Sequence, residues 1–214
     1  PEMRVNVQGG GSAVGIQSAL QGTVDIGMAD MVHLPEETIR LKTTIVARDG
    51  IAIIVHPLNK ISDLTSTQIR DIFSGKIQTW DKAGGTIKKI HIISREEGSG
   101  TRKSFQSIIM KNSLLAPDAL IQDSNGTVRE AVANDPDAIG YISIGLVNGS
   151  VKPVSLDGIK PSNEAVITGN YKLSRPIFFL THDKSKEMSK NFINFVLSVE
   201  SQKLLAQEGL IPAK

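Results

Sequence analysis

Cysteine is absent from the 214 residues, so neither a disulfide framework nor thiolate chemistry is available to this chain. Aromatic residues reach only 4%, and no dense Lys/Arg run interleaves with them, which leaves a nucleic-acid groove without support. No apolar stretch approaches the ~18 residues that a membrane-spanning helix needs. Neither sign of charge dominates, with 24 Lys and Arg against 22 Asp and Glu and a net charge of +2. His33, His56, His91 and His182 are scattered at no metal-ligand spacing. The GxxxxGK[ST], GxSxG and HExxH signatures are all missing. No cofactor and no metal is expected. What is present, 40% hydrophobic and 21% charged residues, is the composition of an ordinary globular protein. The length suffices for one large domain or two small lobes with a substantial core.

Short apolar runs alternate with amphipathic segments, the pattern of an α/β fold. Val5 and Val7 alternate with Arg4, Asn6 and Gln8, which predicts a short strand. Ala13, Ile16, Ala19 and Leu20 then fall at helical spacing, with Gly22 placed to stop the helix. Val24, Ile26 and Met28 alternate again and lead to Asp30, and Leu34-Pro35-Glu36-Glu37 reads as a helix start. Continuous apolar runs at 51–55 and 177–180 predict two buried strands. Between them, helices are expected over 63–73, from Phe105 onward and over 128–133, with strands over 87–93 and 138–144. Asn125-Gly126-Thr127 reads as a turn. Phe192, Phe195, Val196, Val199, Leu204 and Leu205 predict the buried face of one last helix.

Two segments share one design, a strand, a glycine-rich turn with hydroxyls, and a helix: Gly9-Gly10-Gly11-Ser12 and Gly98-Ser99-Gly100-Thr101. Glycine lets backbone approach a ligand, and the first N–H groups of a helix have no partner within it. An anion can accept from those groups and from the hydroxyls. Ser and Thr at these positions serve equally as plain helix caps. Arg95 stands just before the second turn, and its planar fork of donors suits a tetrahedral oxyanion. Glu97 is expected to hold that guanidinium, the alternative being an exposed pair of little consequence. Asp30, at another strand end, would repel an anion unless it serves only as a turn residue.

These residues carry a resemblance. From Val5 to the C-terminus the chain resembles the phosphate-binding proteins of bacterial and archaeal phosphate ABC transporters, which have the type II periplasmic-binding-protein fold. The most specific motif is Arg95-Glu96-Glu97-Gly98-Ser99-Gly100-Thr101. Gly11-Ser12, Gly22-Thr23-Val24-Asp25-Ile26-Gly27, Asp30, Ile72-Phe73-Ser74-Gly75-Lys76-Ile77 with Trp80, and Ala138-Ile139-Gly140-Tyr141 also fit.

The resemblance implies two α/β lobes with a ligand cleft between them. Residues 1–54 and 178–214 would form lobe one and 55–177 lobe two, with crossovers near Ile54 and Phe178. Inorganic phosphate would be held by Ser12, Asp30, Arg95, Ser99, Gly100 and Thr101, supported by Gly11, Glu97 and Gly98. Asp30 would accept the proton that phosphate keeps and sulfate lacks, since in a dehydrated site a proton-free anion would face it as an unpaired like charge. The implied partner is the membrane permease of an ABC transporter, and the implied location is the periplasmic or extracellular face of the membrane, with lipid anchoring as one variant. No nucleic-acid partner is expected. Sulfate, molybdate or tungstate in the same cleft, a phosphate-ester hydrolase, and a surface interaction module that keeps the fold stand as alternatives. Asp30 argues against the first, and the lack of a recognisable base near Ser99 argues against the second. Relatives begin with a further strand and a hydroxyl-rich loop ahead of the region that Pro1 opens. A processed or truncated chain is therefore expected, with a missing N-terminal segment or a neighbouring chain completing lobe one.

Overall fold

The computed structural model describes residues 4–182 and 186–213. The residues preceding α1 (Gly11–Gln21) run without regular structure, where the sequence predicts a strand. Alternation becomes a strand only when a neighbour supplies hydrogen bonds, and Val5 and Val7 are instead 50% and 82% exposed. β1 (Gly27–Asp30) follows, with Gly27 and Ala29 buried and Met28 turned outward, the opposite phase to the Val24–Ile26–Met28 reading. The Pro35 helix start gives a single 3-10 turn, Glu36–Arg40.

β2 (Lys42–Val55) organises the molecule. After it come β3 (Asp63–Leu64), α2 (Ser66–Phe73), β4 (His91–Arg95) and α3 (Gly100–Phe105), which runs on into a π-helical turn at Gln106–Met110. The predicted strand start at Ile87 shifts to His91, and Ile87 itself is exposed. β5 (Leu120–Gln122), α4 (Asn125–Ala133), β6 (Ala138–Ser143), β7 (Lys152–Leu156) and α5 (Asn163–Ile167) complete the middle of the chain. Asn125-Gly126-Thr127 is the first turn of α4, because Ser124 and Thr127 form a capping box there. β8 (Ser174–Thr181) returns to the first lobe, followed by α6 (Glu187–Val196), α7 (Val199–Gln207) and β9 (Ile211–Pro212). The single last helix of the sequence reading is two helices, since Ser198 caps a new start by accepting from the Ser201 N–H. Phe195, Val199 and Leu204 consequently face outward.

The strands lie in the order β1-β8-β2-β6-β4-β5. β2 is antiparallel to β8 over its first part, from Lys42 to Gly50, and antiparallel to β6 from Ile51 to Val55. β6, β4 and β5 are mutually parallel, so the sheet is mixed. One strand thus runs through two lobes and changes neighbours between Gly50 and Ile51. The return passes between Leu173, whose carbonyl accepts from the Ile51 N–H at 2.9 Å, and Ser174. Both changes lie upstream of Ile54 and Phe178.

The continuous apolar run 51–55 makes sense because both faces of β2 are covered there. Ile51, Ile53 and Val55 join a core with α2, α3, Trp80 and Tyr141. Ala52 and Ile54 join a second core beneath Val128 and Val132 of α4. In the other lobe Ile16 and Ala19 of α1 pack on Ala29, Met31, Leu41 and Leu180. Burial of α1 on β1 is what brings the helix start over the end of the strand.

Candidate functional site

Ser12, at the second position of α1, is 3% exposed. Its hydroxyl donates to Asp30 Oδ1 at 2.5 Å and accepts from the Asp30 N–H at 3.0 Å. The start of α1 and the end of β1 are thereby locked together in the first lobe. Gly11 adopts φ 74°, a region that favours glycine, and the position of a side chain there would crowd the Gly98 carbonyl.

The second lobe meets this pair at the start of α3. Ala13 N–H donates to the Gly98 carbonyl at 3.1 Å across the two lobes. A Cβ on Gly100 would collide with Asp30 Oδ1, the Ser12 hydroxyl and the Asp30 carbonyl. Glycine at 100 is therefore required by the approach of the opposite lobe. Ser99 caps α3, its hydroxyl accepting from the Arg102 N–H at 3.2 Å, and Thr101 is buried beside it. The structure thus gathers Ser12, Asp30, Gly98 and Gly100 at one point where the lobes touch, with Ser99 and Thr101 flanking Gly100.

Arg95 ends β4 with its side chain 8% exposed. Tyr141 of β6 stacks on Phe105 and presents its hydroxyl to Ser94 at 2.8 Å and to the Arg95 N–H at 3.4 Å, which fixes the strand end. Burial pushes the Tyr141 phenol up, so it stays neutral. The Arg95 guanidinium donates from Nε and Nη2 to the two oxygens of Glu96, each at 2.9 Å, and from Nη2 to the Asp123 carbonyl at 3.1 Å. The supporting carboxylate is therefore Glu96, and the expectation for Glu97 is corrected. Glu97 has its side chain 85% exposed and reaches only Arg102, at 3.7 Å. The turn after β4 sends the first acidic side chain back along the guanidinium and the second into solvent. Glu96 Oε1 also lies close to Gly11, so the Arg95–Glu96 pair adjoins the α1 turn.

Sequence reasoning missed a third charged group. Arg175, at the head of β8, has a side chain 1% exposed and pairs through Nη2 with Asp30 Oδ2 at 2.7 Å and with Asp49 Oδ2 at 2.9 Å. Ser143 of β6 donates to Asp49 Oδ1 at 2.7 Å. The one available signal was an arginine two residues ahead of Ile177, on the same phase as a buried strand, and it needed the pairing of three distant strands to be understood.

Among the described residues, no group of three or more His, Cys, Asp or Glu is placed to hold a metal ion, and no helix is long and apolar enough to cross a membrane. A family model described as the PBP superfamily domain matches residues 1–200. The chain belongs to that family. It is 32% identical over 217 residues to the phosphate-binding protein PstS of Bacillus subtilis, an alignment that takes in 99% of this chain and 72% of that one. Among solved structures, it is similar to a substrate-binding protein assigned to phosphate ABC transport in Clostridium perfringens and solved with bound phosphate. There the identity is 42% and the TM-score 0.92, covering 95% of this chain and 85% of that one. An ABC-type phosphate transport receptor from Vibrio cholerae gives 36% identity and a TM-score of 0.84, covering 98% and 88%. The two-lobed α/β architecture is common to these solved structures and this chain.

Proposed function

We propose that this protein captures inorganic phosphate in the cleft between its lobes and delivers it to the permease of an ABC transporter. The observation that carries the proposal is the meeting of Ser12 and Asp30 from one lobe with the Gly98–Gly100 backbone of the other. At that point the Ser12 hydroxyl, which in this structure donates to Asp30, and the N–H groups at the starts of α1 and α3 would turn to an oxyanion as donors, beside one carboxylate that accepts. Such a set suits a small oxyanion that still carries a proton. Arg95, buried and adjacent through Glu96, supplies the balancing charge, and Ser99, Gly100 and Thr101 supply donors at the start of α3. The names of the relatives from Bacillus subtilis, Clostridium perfringens and Vibrio cholerae agree with this ligand. The lobes would be 4–50 with 174–182 and 186–213, and 51–173, moving about the strand they share. The protein would act on the periplasmic or extracellular side of the membrane as a carrier without turnover.

Asp30→Asn tests the role of the carboxylate. The amide removes the negative charge and can offer an N–H to a fully ionised oxygen. The expected result is a smaller ratio of phosphate to sulfate affinity than in the wild type, read by calorimetric titration. Equal ratios in the two proteins would remove Asp30 from the selectivity mechanism.

A further inference from the structure

Arg175, Asp30, Asp49 and Ser143 come from four different strands, and sheet register alone puts them on one face. Asp30 stands opposite Ile177, Arg175 is two residues before Ile177, and Asp49 stands opposite Arg175. Ser143 stands opposite Ile51, two residues after Asp49. Side chains two apart on a strand, or directly opposite across a pair, point the same way. The result is a file of polar groups from the cleft residue Asp30, across Arg175 and Asp49, to Ser143 of the second lobe. It crosses the place where β2 changes neighbours.

As a mere brace for the sheet this file is poorly built. Arg175 Nε and Nη1 are buried with no hydrogen-bond partner among the described residues. Such groups are rare because each loses its hydration without recompense. Buried ion pairs can commonly be replaced by apolar side chains with no loss of stability. What the arrangement does accomplish is to immobilise Asp30, whose side chain is 32% exposed. Ser12 holds Oδ1 and Arg175 holds Oδ2, so neither oxygen can swing away.

Resting on the phosphate reading above, we infer that Arg175, itself held by Asp49, is a specificity-determining positioning residue that fixes the Asp30 carboxylate against an incoming oxyanion. Repulsion discriminates only if the repelling group cannot move aside. A carboxylate held at both oxygens refuses an anion that has no proton to give, whereas one held by Ser12 alone can rotate and admit it.

The test is the double variant Arg175→Met with Asp49→Asn in the full chain, titrated with inorganic phosphate and with sulfate. Removing one cation and one anion together leaves the summed charge of the cluster unchanged, and Arg175→Lys, which keeps a cation beside Asp30 without the fork, separates placement of the carboxylate from loss of the nearby positive charge. The expected result is a fall of at least about tenfold in the ratio of phosphate to sulfate affinity, the scale of one lost charge-assisted hydrogen bond. Arg175→Lys keeps both carboxylates paired with a cation but cannot fork between them, and is expected to lower the ratio by about threefold. It serves if the double variant does not fold. A ratio within about twofold of wild type in whichever variant folds overturns the inference while leaving the phosphate reading intact. A wild-type chain with no preference for phosphate overturns both.

Discussion

Arg95 is the residue whose loss should weaken binding most. Its guanidinium is buried and its partner Glu96 lies against the α1 turn, so Arg95→Ala would leave a carboxylate facing the ligand with its cation gone. Truncating one member of such a pair costs on the order of 2–5 kcal/mol, roughly 30-fold to several thousand-fold in affinity. Arg95→Lys should recover only part of this, because an ammonium cannot reproduce the two parallel bonds to Glu96. A phosphate affinity within about threefold of wild type in the alanine variant would place Arg95 outside the site. At the same scale, burial raises the Asp49 carboxyl above the ordinary value of 3.8, against the opposing pull of Arg175 and Ser143 and with added repulsion from Asp30. Between 3.8 and the raised value the native state holds a proton that the unfolded chain has released. The contribution of Asp49 to stability is therefore complete below 3.8 and is lost as pH rises through the raised value. Urea unfolding across that range should show wild-type stability declining relative to Asp49→Asn, and a difference that stays flat or moves the other way would contradict the assignment. The sequence offered Ser12, Asp30 and Arg95 as candidates because each sits beside a glycine turn or at the end of an apolar alternation, though the binding role of Asp30 was implied only by the family resemblance. It could not distinguish Glu96 from Glu97, since the choice depends on the direction of one turn, nor reveal Asp49 and Arg175, which meet only through strand pairing.

The elements show the same division between local and distant causes. The helix expected over 63–73 forms as α2 only from Ser66, because Thr65 caps it and Asp63–Leu64 pair with β7 as the strand β3. Where the outcome depends on a neighbour, the sequence misleads. Val5 and Val7 alternate like a strand yet remain exposed coil, and the apolar positions from Phe192 to Leu205 belong to two helices because the chain turns at Ser198. α1 and α3 are set by their glycine turns, and their starts come together because α1 rests on β1 while α3 follows β4. Gly100→Ala probes that encounter directly. The added methyl would strike Asp30 and Ser12 from the opposite lobe, and the strain is relieved if the lobes part. The variant should keep the thermal stability of the wild type to within a few degrees and lose at least about tenfold in phosphate affinity. Unchanged affinity would mean that α3 and Asp30 do not close on one another around a ligand.

At the scale of the molecule, two lobes share β2 and are tied back by β8, with the polar file from Asp30 to Ser143 running across the join. The α/β class was legible from the alternation of apolar runs and amphipathic segments, whereas the two lobes were implied only by the family resemblance. The exchange of β8 for β6 between Gly50 and Ile51 was not legible, because a strand buried on both faces reads as one apolar run whichever neighbours it has. The central claim is that this cleft selects inorganic phosphate among oxyanions. Calorimetric titration of the full-length protein with phosphate, sulfate and molybdate tests it most directly. One phosphate per chain should bind, more tightly than either of the other anions; sulfate or molybdate binding as tightly as phosphate, or tighter, would contradict the account.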